Sequence, residues 1–278
     1  KANLVTIDSI HKHAQRSENL FEYFYPELKQ NFPNSPLFKV QKRINYTNYD
    51  NIKESVLKHY KISDNETNNR LDLNNEEAIF KKYIEFRSIG HNPNPIACAI
   101  REDNIDKLQK LISQTNARID TKLERSVFES CIFLNNKTDP PSLIEYAAFF
   151  GSLKCFKFLY QQLSQLPPKI SQYAVVGGNY EIIHLCEMKK IQFDENCLNL
   201  AIRFFRNEIS DYLEDNFGIS KSISSAGRSV IYYNLGQLIS HKDIINEDPN
   251  EKDSYGYTLL SLACLNGDLD IVNYLLTT

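Results

Sequence analysis

The sequence predicts an all-α fold built as a stacked array of helix–turn–helix units. The block Ser142-Leu143-Ile144-Glu145-Tyr146-Ala147-Ala148-Phe149-Phe150-Gly151 recurs near the C-terminus as Thr258-Leu259-Leu260-Ser261-Leu262-Ala263-Cys264-Leu265-Asn266-Gly267. Each copy leads into a second apolar helix pattern, ending in Phe158-Leu159 or Leu275-Leu276. The small residues Ala99, Ala147, Ala174, Ala201, Ser229 and Ala263 then mark six copies, at spacings of 48, 27, 27, 28 and 34. Near-equal intervals in a chain without heptads indicate one supersecondary unit per interval. Within a unit, apolar residues recur three and four apart on either side of a break, so each half is a short amphipathic helix and the break is a tight turn.

Residues 1–92 show no repeat. Leu4, Ile7 and Ile10 fit one helical face, as do Leu20, Phe21, Phe24 and Leu28, then Ile52, Val56, Leu57 and Tyr60, then Ile79, Phe80, Tyr83 and Phe86. This helical N-terminal region is expected to cap the array, because an end repeat cannot leave its apolar face in water. The array itself is expected over 93–278. Its 48-residue first interval leaves an insertion, 113–141, in which Leu123, Val127, Phe128, Cys131, Ile132 and Phe133 predict one extra helix, stopped by Asn135-Asn136-Lys137-Thr138-Asp139-Pro140-Pro141. The third unit reads Ile170, Tyr173, Ala174, Val175, Gly178, Ile182, Ile183 and Cys186, and the fourth Leu198, Ala201, Ile202, Ile209, Tyr212 and Leu213. A polar stretch at 214–228 reads as a second, weaker insertion.

Gly151, Gly178 and Gly267 suit a residue that leaves the first helix in a left-handed conformation. Phe205 and Asp103 stand at that place in the fourth and first units, so those two turns are expected to be built differently. The alanine suits a point where helices converge with room for little more than a methyl group.

The last copy, introduced by Asp253-x-x-Gly256-Tyr257, resembles an ankyrin repeat, whose consensus is D-x-x-G-x-T-P-L-H-x-A-A-x-x-G-H; Leu259 stands for the proline and Ser261 for the histidine. Units of 27 residues are about six short of the usual length, and the missing residues come from the connecting β-hairpin. Trimmed copies of this kind resemble a divergent group of ankyrin-repeat proteins common in protists. The resemblance covers about 93–276 and implies a solenoid with trimmed or absent β-hairpins.

Composition excludes several functions. With 42% hydrophobic and 12% aromatic residues, the chain can fill a continuous core. The net charge of -3 is evenly spread, with no basic half to hold a polyanion, so nucleic acid is not an expected partner. No apolar run approaches the roughly 20 residues that cross a bilayer. Six cysteines without a C-x-x-C pair, mostly among apolar neighbours, read as reduced structural thiols in a cytoplasmic protein.

No catalytic constellation is legible. Of nine glycines only Gly177 and Gly178 are adjacent, and the turn accounts for that pair, which leaves no phosphate loop. His11 and His13 point to different faces of a helix, and His59, His91, His184 and His241 are solitary. Cys186, Cys197 and His184 form no thiol site on this reading, because Cys186 holds an apolar repeat position. Acidic pairs such as Glu76-Glu77 and Glu102-Asp103 fit helix starts or solvated faces. No metal, cofactor, small-molecule substrate or membrane is expected.

What the ankyrin resemblance implies is a protein-binding surface on the concave face, lined by the first helices. Carried over, its positions are Tyr146, Phe149 and Phe150; Tyr173 and Val176; Leu200, Arg203 and Phe204; Ile231 and Tyr232; Leu262 and Leu265. The expected function is a non-enzymatic scaffold or adaptor for another protein. The alternative is a structural assembly subunit or rigid spacer.

Overall fold

In a computed structural model, residues 25–32, 53–54, 56–57, 75–136, 138–219 and 221–277 are described. Among them every regular element is a helix. The chain divides into two compact units. One runs through Glu102 and takes in Asp106–Pro141; the other comprises Asp103–Ile105 and the chain from Ser142 onward.

The first unit holds α1 (Tyr25–Asn31), α2 (Glu76–Ser88) and α3 (Pro95–Arg101), with α4 (Ile105–Thr115) following. The 3.6-residue pattern placed α2 well: Asn75 caps it through Glu77 N and Ala78 N, and Ile79, Tyr83 and Phe86 form its buried stripe. Glu27 of α1 and Arg87 of α2 form a two-point ion pair. Leu28 and Val56 are buried, whereas the helical patterns read at Leu4–Ile10, Leu20–Phe24, Ile52 and Tyr60, like His11 and His13, lie outside the described residues.

The extra helix expected within 113–141 does not form. Beyond the end of α4 this stretch is a series of turns that buries Leu123, Phe128 and Leu134. Polar side chains supply the reason, since they offer the backbone partners that a helix would otherwise supply. Asn135 Nδ2 donates to the carbonyls of Ser126 and Glu129, and its Oδ1 accepts from Ser126 N. The buried Glu129 carboxylate accepts from Asn92 N and Cys131 N. Phe128 packs against Tyr83 and Phe86, at 5.1 and 5.4 Å between ring centroids.

The second unit is five helix pairs: α5 (Leu143–Phe149) with α6 (Leu153–Gln162), α7 (Ile170–Gly177) with α8 (Tyr180–Met188), α9 (Glu195–Arg203) with α10 (Asn207–Phe217), α11 (Ile223–Ile231) with α12 (Leu235–Ser240), and α14 (Leu259–Asn266) with α15 (Leu269–Thr277). A short α13 (Lys242–Glu247) occupies the longer last interval. The first helices α5, α7, α9, α11 and α14 pack in one continuous row, each also against its own second helix. All six small residues of the repeat, Ala99 to Ala263, are fully buried. No insertion exists at 214–228: α10 and α11 take up its two ends and leave only a short connection at 218–222. Where the last β-hairpin is trimmed, a turn survives, with Asp253 N donating to Tyr257 O and the Asp253 carboxylate accepting from Tyr255 N and Tyr257 N.

Candidate protein-binding groove

Each first helix ends at the same backbone device. One or two residues after the helix φ turns positive, at Asp103 (48°), Gly151 (65°), Gly178 (76°), Phe205 (57°), Tyr233 (59°) and Gly267 (70°), each four residues after the small residue. Phe205 and Asp103 therefore occupy the same left-handed turn as the glycines, although a side chain is strained there and an aromatic one unusually so. Phe205 and Tyr233 are 57% and 54% exposed, so these two turns carry aromatic rings to the surface.

The turns are tied to one another. Asn179 Nδ2 donates to Gly151 O at 3.2 Å, Arg206 Nε to Val176 O at 2.9 Å, Asn234 Nδ2 to Ile202 O at 2.9 Å and Asn266 Nδ2 to Val230 O at 2.9 Å. The Asp103 carboxylate accepts from Lys154 N and Cys155 N, at the start of α6. The bonds from Asn179, Arg206, Asn234 and Asn266 each satisfy a carbonyl near a helix end and fix one repeat of the second unit against the next. The signal in the sequence is the position just after the turn, read as Asn179, Arg206 and Asn234 at repeat spacing.

Gly177 serves packing and not the turn. It is helical, and a Cβ there would lie 1.9 Å from Ala148 O, so α7 closes onto the end of α5 as only glycine permits. Gly178 makes the turn, and the Arg206 side chain crosses over it. Phe149 of α5 meets Phe204, just past α9, edge to face at 6.1 Å.

This contact belongs to an aromatic chain. Tyr146 meets Phe150 at 4.8 Å, Phe150 meets Phe149 at 5.0 Å, and the Arg203 guanidinium stands over both Phe204 (5.7 Å) and Tyr232 (5.6 Å). Of the residues expected on the groove, Phe149, Phe150, Phe204 and Tyr232 are half-buried, Arg203 and Ile231 are exposed, and Leu265 is 70% exposed. Tyr146 and Tyr173 correct the expectation: they are 1% and 4% exposed. Val176 and Leu262 are buried as well. The position before the small residue turns into the seam between neighbouring first helices, so its large side chains join the core.

The candidate reactive groups are inert in their surroundings. Cys186 and Cys197 are buried, and loss of solvation pushes their thiols up to about 12 and about 11, far from the thiolate form. Cys155 is likewise raised to about 12, by burial first and then by the nearby Asp103 charge. His184 pairs with Glu187 at 3.0 Å on the surface.

One pairing escaped the sequence. His241 Nε2 lies 2.7 Å from Ser225 Oγ, and its Nδ1 lies 2.7 Å from Gln237 O. The carbonyl can only accept, so Nδ1 carries the proton and Nε2 accepts from the hydroxyl. Both side chains are buried, His241 completely, and burial holds its pKa below 6.5. A serine and histidine at this distance suit nucleophilic chemistry only where substrate can reach the oxygen. Here the pair ties α11 to the end of α12.

Among the described residues no group of histidine, cysteine and carboxylate side chains is arranged to hold a metal ion, and no helix is long and apolar enough to cross a membrane. Residues 255–278 match a family model described as an ankyrin repeat, and residues 161–241 match one described as a domain of unknown function (DUF3447). No curated protein matches the chain. Among solved structures, the ankyrin repeat domain of human ASB11 is 16% identical over 66% of this chain and 97% of that one, with a TM-score of 0.43.

Proposed function

We propose that this divergent ankyrin-repeat protein is a non-enzymatic interaction module, a scaffold or adaptor that holds another protein along the face formed by the ends of its first helices. Ankyrin repeats in general mediate protein–protein interaction. The observation that carries the finer reading is the run of Phe149, Phe150, Phe204, Arg203 and Tyr232, linked through ring contacts and the Arg203 guanidinium across a span of four repeats and partly open to solvent. Aromatic rings and arginine are the side chains that concentrate binding energy at protein interfaces, because they bury much area at little entropic cost. Trimmed connections support the same face, since short loops such as 218–222 leave little else to present. The partner is a protein, and nucleic acid, membrane and small-molecule substrates are not part of this reading. A cytoplasmic setting suits its six free cysteines.

The test is partner capture from native extract with Phe149, Phe150 and Phe204 all changed to Ser. We expect the captured protein to be lost while the helical circular dichroism signal persists; unchanged capture by a folded variant overturns the groove reading. A self-assembling spacer is the second reading, favoured by the exposed Leu265, Leu269 and Leu276 on the last helix pair. Light scattering decides it, because a discrete oligomer that survives the triple change would assemble through those leucines.

A further inference from the structure

We infer that the occupant of this groove is an acidic, apolar-rich segment of a partner protein, recognised through Arg203 and Arg228; the inference rests on the groove reading above. Arg203 stands at the end of a first helix where Phe149, Ile231 and Leu265 stand in other units and Arg101 stands in the first. Arg228, half-buried, holds the position from which Tyr146, Tyr173 and Leu262 turn into the seam between first helices. Among the described residues neither arginine forms an ion pair.

The charge around them is one-sided. Residues 196–207 and 216–242 contain Arg203, Arg206, Lys221, Arg228 and Lys242 and no aspartate or glutamate. Carboxylates stand at the opposite end of α9, at Asp194 and Glu195, and on the second helix α10, at Glu208, Asp211, Glu214 and Asp215. Lys221 is paired with Glu214 at 3.5 Å, which leaves Arg203, Arg206 and Arg228 in and just after the last turns of α9 and α11 as a local cationic cluster that an acidic partner would neutralise in a chain of net charge -3.

Geometry favours carboxylate over a diffuse field. Arg203 is exposed, and its guanidinium stands over the rings of both Phe204 and Tyr232, at 5.7 and 5.6 Å, which restricts its freedom. A guanidinium restricted in this way loses little entropy on making a bidentate bond to a carboxylate, and that match is specific to arginine. Rings on either side accept the partner's apolar side chains, so the recognised segment alternates acidic with Leu-, Phe- or Tyr-like residues.

The experiment pans a random peptide display library on the full chain at low ionic strength and sequences the pool. The expected pool is rich in Asp and Glu interspersed with large apolar residues. Its binding drops about tenfold or more in an R203Q R228Q variant and in raised salt, and R203K restores only part of it. D211N D215N, on α10, serves as the control and leaves binding unchanged. A neutral or basic pool overturns the inference, as does binding that is lost on Phe149→Ser and Phe204→Ser but insensitive to both arginines; in that second case the groove reading stands. If neither set of changes matters, or no pool emerges, both fall. Concentration-dependent self-association that disappears in R203Q R228Q also overturns it, because the occupant is then the acidic α10 of a second copy.

Discussion

Single residues in this chain divide into those whose identity is dictated by space and those dictated by charge state. Gly177 is the clearest case of space. A methyl group there would meet Ala148 O at 1.9 Å, and a backbone oxygen cannot swing aside as a side chain can. Gly177→Ala should therefore cost about 2 kcal/mol or more, well outside the range of a helical Gly→Ala change, which is ordinarily stabilising. A shift in urea midpoint of either sign smaller than that of an ordinary surface change would refute the close approach. His241 is the case of charge state. The folded protein holds it neutral, chiefly through burial, so as pH falls the unfolded chain takes up the proton first. Its contribution is full above the unfolded value of 6.5 and is lost as pH drops through and below it. Glu214, raised by burial, acts with the opposite sign at lower pH. The check is thus a difference: the loss of stability on acidification from neutral pH should be shallower in His241→Gln than in the parent, whatever the variant's absolute stability.

At the scale of elements, the periodic parts of the fold were legible and the aperiodic parts were not. Repeat spacing located all six small residues because the same three-helix convergence imposes the same size limit each time. It failed at 116–141, where Leu123, Val127 and Cys131 have helix-like spacing but Asn135, Ser126 and Glu129 hold the backbone in turns; side-chain bonds of that kind leave no periodic trace. The groove positions fell on the correct helix ends, yet which ring faces solvent depends on the sideways approach of the next helix, and that cost Tyr146 and Tyr173 their expected exposure. The inter-repeat bonds were missed because they join residues about one repeat apart through a backbone carbonyl. Asn234 concentrates this effect: it donates to Ile202 O and Asn207 Oδ1, and its own Oδ1 accepts from Gln237 N to cap α12. Asn234→Ala should lose a cap and leave a buried carbonyl open, at about 2 kcal/mol, roughly twice a simple cap deletion. Asn234→Asp, which keeps only the acceptor, separates the two parts in denaturant titrations.

For the second unit as a whole, stability is built from neighbour contacts along the row of first helices. The last helix pair shares a core with the one before it: Leu259, Leu262, Ala263 and Ile271 pack with Ala226, Val230, Leu238 and Ile245. Leu262 closes this seam, its Cδ1 lying where a Cβ on Gly227 would be only 3.2 Å away. In such an array a defect lowers the local pair and its interface, and is felt less with each repeat of distance. Leu262→Ala should remove about 2–3 kcal/mol of packing at this seam. Native-state hydrogen exchange would then quicken in α14 and α15 and at the facing side of α11, while amides of α5 and α7 keep their protection at low denaturant. Uniform acceleration across α5 to α15 would mean instead that the five pairs unfold as one cooperative block. The groove would then be lost whenever its far end frayed, since Phe149, Phe204 and Tyr232 line up only while the four consecutive first helices α5, α7, α9 and α11 remain docked.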